Sequence, residues 1–357
     1  MKLNFDIFKA DHLPALDSIR FFAAMLVIID HGGIKFHAGD GVTYFFVLSG
    51  FLFSWLSERE WQKTNDINFK KFYLRRTFRI MPAFYASIFF TILAKKLLHI
   101  PINFPHALSA MTYTANYYNA FNQHPATGFA TYWSLSVEEQ FYLIWPMTFL
   151  FFRKFGQKSL MSFLFGSVIF VLGWRLVAYY LIKMDHAYLY NAFDTRFDSL
   201  AIGSLFGILV MNEKFQKFMQ KFFSFTLAPL FFVVLIYLVG ELHDDFHYTF
   251  GFTIQSILMG FFMLSLILMH QNPLWKWPNS KPLIYLGALS YSMYLFHPWG
   301  QAIGLKFTQF PLIVSVLIGA GVTILMAWFS YNLIEKPFVR WRKKIETTSP
   351  LFRANDD

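Results

Sequence analysis

The stretch LDSIRFFAAMLVIIDHGG, Leu16 to Gly33, is apolar except for an arginine near one end and an aspartate–histidine pair at the other. Arg20 and His31 are eleven residues apart. At about 100° per residue, eleven steps fall within about 20° of three full turns, so a helix carries both side chains on one face, about 16 Å apart along its axis. A long, thin molecule lying along that face meets a cation at one end and a proton acceptor at the other. A neutral imidazole can serve as general base towards a hydroxyl, or as a nucleophile that carries an acyl group itself. Asp30 could fix the His31 tautomer only where the backbone bends, because sequence neighbours on a helix do not face each other. Glu139, later in the chain, is the alternative orienting partner.

Four further stretches carry polar groups in apolar surroundings. In NFKKFYLRRTFRIMPAFYA, Asn68 to Ala86, the arginines Arg75, Arg76 and Arg79 precede an apolar run. Guanidinium groups donate two bonds per planar fork, which suits phosphate. Pro82 is expected in the first turns of the coming helix, where a missing N–H costs little. In TYWSLSVEEQFYLIWP, Thr131 to Pro146, Glu138 and Glu139 lie inside an apolar span. Ser134 or Ser136, with Glu139 nearby, is a plausible helix start. Adjacent carboxylates on a helix point about 100° apart, so one need face a site while the other faces solvent or Arg196. FDTRFDSLAIGSLFG contributes Arg196 and Asp198, and LSYSMYLFHPWG contributes Ser290, Tyr291, Tyr294 and His297. Candidate substrate contacts are Trp133, Ser136, Glu138, Arg196, Asp198, Tyr291 and His297. Each group also has an ordinary reading: arginines anchor a helix at a membrane face, aspartates complement a helix dipole, and a lone histidine packs.

The elements that position these residues follow from composition. Of 357 residues, 56% are hydrophobic, 21% aromatic and only 15% charged, and the mean hydropathy is +0.40. Such values belong to polytopic membrane proteins. The absence of cysteine excludes disulfides and thiolate chemistry. Ten spanning candidates are read at about 16 to 30, 41 to 56, 79 to 97, 133 to 152, 160 to 182, 198 to 212, 223 to 240, 249 to 269, 283 to 304 and 310 to 333. The first, second and sixth are short of the ~20 residues a crossing needs, so their helices should extend past the apolar limits. An even count places both termini on one side. Twenty-three lysines and arginines fall on that face and six on the other, which makes it cytoplasmic. The net charge of +10 is thus mainly topological and implies no nucleic acid. No small-residue cleavage site follows the first apolar run, which is expected to stay as an anchor. The one long loop, about 98 to 132, is expected outside. The organisation predicted is a single all-α transmembrane domain over 1–345 and a short polar cytoplasmic tail over 346–357.

Taken in order, the R-x10-H pair of the first helix, FFVLSGFL, RRTFRIMP, YWSLSVEEQFYLIWP, TRFDSLAIG, LSYSMYLFHP and EKPF resemble the acyltransferase-3 membrane proteins over about residues 13 to 340. The resemblance implies ten core helices in a bacterial inner membrane, acyl-CoA (acetyl-CoA) as co-substrate without a metal, and O-acylation of envelope carbohydrates such as lipopolysaccharide O-antigen. By motif match, His31 becomes the catalytic residue, Arg20 its partner along the acyl-donor channel, and Arg76 with Arg79 the pair that meets donor phosphates. Some members carry an extra helix and an extracellular hydrolase-like domain beyond the membrane part. The rival class is a transporter or proton-coupled flippase, since intramembrane Arg, His and Glu also suit ion relays. Transporters, however, often show paired halves, and no second copy of the polar motifs is evident here. A non-catalytic receptor would not need Arg20 and His31 on one face.

Overall fold

The computed structural model describes residues 2–35 and 38–348, and those residues form helices without a strand. A helix occupies each expected position. They are α1 (Pro14–His31), α2 (Ala38–Thr64), α3 (Phe69–Leu97), α4 (Tyr132–Lys154), α5 (Gln157–Leu176), α6 (Phe193–Leu209), α7 (Ala228–Gly240), α8 (Phe252–Leu268), α9 (Lys281–Gly304) and α10 (Leu312–Ser330). The first two extend past their apolar limits at both ends, and the sixth begins earlier than its apolar run. The segment read as an open loop folds locally into two short helices, Phe104–Met111 and Ala115–Phe121. The last helix, Lys336–Thr348, runs past residue 345; the rest of the expected tail, 349–357, lies outside the described residues.

Among the described residues, four helical stretches are long and apolar enough to cross a membrane by length and composition: Phe69–Leu97, Gln157–Leu181, Asp244–Leu268 and Leu312–Thr348. The remaining long helices trade apolar for polar residues on the faces they turn to one another. In α6, for instance, Arg196, Asp198, Ser199 and Ser204 are all buried. Local chemistry sets several boundaries. Pro14 stands in the first turn of α1, where its missing N–H is not needed. The Asn68 side chain caps α3 by accepting from the Lys71 N–H at 2.9 Å. Because α3 starts that early, Pro82 lies well inside it rather than in its first turns.

Helix pairing brings the polar faces together. α1 packs against both α2 and α9, and α2 packs along α6. Small residues permit the close approaches, as they do between helices in lipid. A Cβ on Gly203 would meet the Val47 carbonyl oxygen at 2.1 Å, and one on Gly50 the Leu200 carbonyl oxygen at 2.0 Å. A Cβ on Gly287 would stand 2.1 Å from the carbonyl of Asp17, so α9 lies directly against the start of α1.

Candidate active site

The two ends of α1 open onto two cavities. Arg20 lines a narrow one of about 80 Å³ together with Arg76, Arg79, Glu138, Tyr291 and Glu335. His31 lines a larger one of about 370 Å³, with Asp30, His124, Trp133, Tyr190 and Tyr248. The latter volume is in the range of small-molecule sites. Helix α9 serves both, with Tyr291 in the arginine cavity and His297 beside His31.

In the arginine cavity, Arg76 faces two carboxylates at distances longer than a hydrogen bond. The Arg76 guanidinium lies over the Tyr142 ring at 3.4 Å and the Phe53 ring at 4.8 Å. Its nitrogens stand 3.9 Å from Glu138 and 3.7 Å from Glu139. Two aromatic faces thus hold the plane of the fork while its donors are left poorly matched, a geometry ready for an anion. Ser49 and Tyr142 donate to Glu138, each at 3.0 Å. Arg20 is 3.4 Å from Asp17. Glu335 is buried in the π-helical turn Tyr331–Glu335 and accepts from Ser292 at 2.6 Å.

At the other end of α1, His31 Nδ1 lies 2.9 Å from the carbonyl oxygen of Val27, one turn back. A carbonyl only accepts, so Nδ1 carries a hydrogen, and in the neutral ring the lone pair is at Nε2. His297 repeats the arrangement, its Nδ1 donating to the Tyr294 carbonyl at 2.6 Å, and its ring centroid is 5.0 Å from that of His31. The wall opposite is aromatic: Trp133 packs on Tyr190 with centroids 4.7 Å apart. His124 donates to Asn191 at 2.9 Å, and burial holds its imidazole below the ordinary histidine range. Behind it, burial pushes His106 down to about 4. The cavity therefore offers flat rings for stacking, amide and imidazole groups for hydrogen bonds, and one oriented base.

Several expected positions differ. Glu139 stands by Arg76 and not by His31, whose orientation comes from the Val27 backbone. Neither glutamate meets Arg196; both point at Arg76, because α4 starts at Tyr132 and carries them two turns into the fold. Ser134 and Ser136 accordingly lie inside α4 and cap nothing. The Ser136 hydroxyl is spent on the Tyr132 carbonyl at 3.0 Å. Arg75, one residue from Arg76 and so turned about 100° away, is exposed and pairs with Glu346 at 2.8 Å instead of lining the cavity. Tyr291 and Glu138 belong to the arginine cavity, with the Tyr291 hydroxyl donating to the Ile80 carbonyl at 3.0 Å. Asp198 is fully buried, and its oxygens are held by Arg175 at 2.7 Å and Thr253 at 2.6 Å. Arg196 is equally buried, donating to Thr43 at 2.7 Å with its plane 3.6 Å over the Phe252 ring. These contacts tie α5, α6, α8 and α2 together. Asp30 and Trp133 line the histidine cavity, and His297 is buried beside His31.

The sequence reading did not single out Glu335, although the EKPF motif contains it. It also passed over Arg175, a lone cation in an otherwise apolar run, which is a signal for a buried partner. The Val27 carbonyl leaves no trace in the sequence, since any residue there supplies one.

The family model described as an acyltransferase domain, of the acyltransferase-3 family, matches residues 13–332. The chain is 31% identical over 360 residues to the O-acetyltransferase OatA of Staphylococcus aureus strain NCTC 8325, an alignment covering 95% of this chain and 58% of the relative. It is 29% identical over 351 residues to the putative O-acetyltransferase SACOL0978 of Staphylococcus aureus strain COL, covering 92% of this chain and 58% of the relative. The chain thus spans somewhat over half the length of these curated relatives. No solved structure matches it. With its helices in the expected order and the family model matched across 13–332, the chain belongs to the acyltransferase-3 family.

Proposed function

We propose that the chain is a membrane-embedded O-acetyltransferase that takes an acetyl group from acetyl-CoA and passes it to a hydroxyl of an envelope glycan. In this reading ten helices cross a bacterial inner membrane with both termini in the cytoplasm, and the arginine cavity opens to that side. Arg20, Arg76 and Arg79 meet the phosphates of the donor, and the thioester extends along α1 towards His31. The acceptor sugar stacks on the Trp133 and Tyr190 wall, as a ring with an apolar face and a polar rim would. His31 Nε2 removes the acceptor hydroxyl proton as oxygen attacks the thioester carbonyl. The tetrahedral intermediate collapses, the carbon–sulfur bond breaks, and the thiolate leaves with the proton that His31 carried. Asp30, at the same cavity, contributes negative charge that favours the transient imidazolium.

The observation that carries this reading is the His31 geometry. A lone pair at Nε2, with Nδ1–H tied to the Val27 carbonyl, faces a cavity at one end of a helix whose other end lines an arginine cavity. The names of the relatives supply the acetyl group.

The test is mass spectrometry of envelope glycans from cells expressing the wild type, His31→Ala or His31→Gln. Loss of a general base costs about 10² to 10⁴ in rate, so both variants should leave almost no added acetyl while membrane abundance and acetyl-CoA affinity stay within about twofold. A His31→Gln variant that keeps more than about a tenth of the turnover removes His31 from the role. Glycans whose covalent composition is the same with and without the chain, but whose export changes, would favour the transporter class.

A further inference from the structure

Tyr294 is the one described residue that lines both cavities. Its side chain is buried, and its hydroxyl makes two hydrogen bonds to the first turn of α4. It donates to the Thr131 carbonyl at 3.0 Å. Because its single hydrogen is committed there, the Ser134 hydroxyl, 2.6 Å away, is the donor of the second bond. Ser134 faces the arginine cavity and Thr131 the histidine cavity, so the phenol spans the wall between them. Phe45, from the arginine side, packs edge-on against the Tyr294 ring with centroids 5.9 Å apart. The Tyr294 carbonyl also holds His297 next to His31.

We propose that Tyr294 is a specificity-determining gate between the two cavities, latched by Ser134 and Thr131 at rest. It decides whether an activated group arriving from the arginine side meets an acceptor or water. Both bonds of the latch converge on one phenol oxygen, and a single χ1 rotation releases both. Exchanging two neutral hydrogen bonds for solvent is a modest step, which suits a gate that a bound molecule can open. Closed, it keeps the water of the larger cavity away from a thioester in the smaller one; open, it admits the thioester alone to the His31 side. The identity of the activated group rests on the function proposed above, whereas the closure does not.

The absence of cysteine makes the gate measurable without turnover. Ala187 lines the histidine cavity, and Ala187→Cys supplies a single thiol there. A small membrane-impermeant methanethiosulfonate is applied to vesicles of each orientation. With Tyr294 intact, labelling should proceed from one face only. Tyr294→Ala should admit reagent from the opposite face as well. Tyr294→Phe keeps the ring and its packing but removes both latch bonds, and should speed labelling from that face roughly tenfold. Unchanged labelling from the histidine side reports that each variant is folded. In parallel, Tyr294→Ala should release coenzyme A and acetate from acetyl-CoA without acceptor: the water oxygen bonds to the acyl carbon, the carbon–sulfur bond breaks, one water proton ends on the thiol and the other is released to solvent as acetate forms. Equal labelling in wild type and both variants overturns the gate whatever the activity is. Altered labelling with no thioester turnover in any variant leaves the gate standing and overturns the donor reading.

Discussion

At the scale of single residues, neighbouring arginines differ more than their shared charge suggests. Arg75 and Arg76 are adjacent in RRTFR, yet one forms an exposed pair with Glu346 while the other lies against the Phe53 and Tyr142 rings within reach of two carboxylates. A phosphate entering the arginine cavity meets Arg76 with its plane already fixed, so little side-chain entropy is lost on binding. Arg76→Ala should therefore weaken acetyl-CoA binding by ten- to a hundredfold, corresponding to the ~1.5–3 kcal/mol of a charge-assisted contact. Arg76→Lys should recover little, because an ammonium neither forks nor stacks as a guanidinium does. Arg75→Ala should change affinity less than about threefold, as expected of an exposed pair. Titration calorimetry on the detergent-solubilised protein distinguishes the variants. Equal losses for Arg75 and Arg76 would move the phosphate site out of the cavity.

At the scale of elements, the site depends on helices that lie closer together than side chains ordinarily allow. Gly203 and Gly207, one turn apart on α6, face the backbone of α2; a Cβ at Gly207 would stand 2.5 Å from the Phe51 carbonyl. The obstruction in both places is backbone, which cannot rotate aside. Gly203→Val must push α2 from α6 and strain the buried Arg196–Thr43 contact between them. Overpacking of this kind costs about 1–3 kcal/mol. Gly166 on α5 supplies the contrast, since a Cβ there meets nothing within 4 Å. Gly166→Ala should be neutral or stabilise by ~0.5–1 kcal/mol through helix propensity. A thermal melt in detergent should show Gly203→Val several degrees below the wild type and Gly166→Ala at or above it. If the two melt together, the α2–α6 contact is softer than its geometry implies.

At the scale of the whole molecule, hydropathy made the order and position of the helices legible, because each apolar run needs one hydrogen-bonded segment to satisfy its backbone. It was less informative about extent. The N-terminal turns of α3 and the short helices between 104 and 121 are amphipathic or polar, and their periodicity is set by partners that a single chain does not announce. Within the site, the same-face relation of Arg20 and His31 followed from helical arithmetic alone. The partners of Glu138, Glu139 and Asp198 did not, since they depend on where a helix starts and which neighbour arrives across the fold. Arg175, the residue that neutralises Asp198, comes from a different helix. One global property, the orientation proposed from the charge distribution, is open to direct measurement. On the ten-span reading proposed above, the excess of lysine and arginine would gather on the loops that share a side with the termini, and such a bias orients membrane helices during insertion. Reporter tags after Asp357 and near Asn65 should both be cytoplasmic, and one near Asn122 should be external, as read by protease protection or enzymatic reporters. An external tag after Asp357 would reverse the orientation, and the arginine cavity would then open away from the compartment that holds acetyl-CoA.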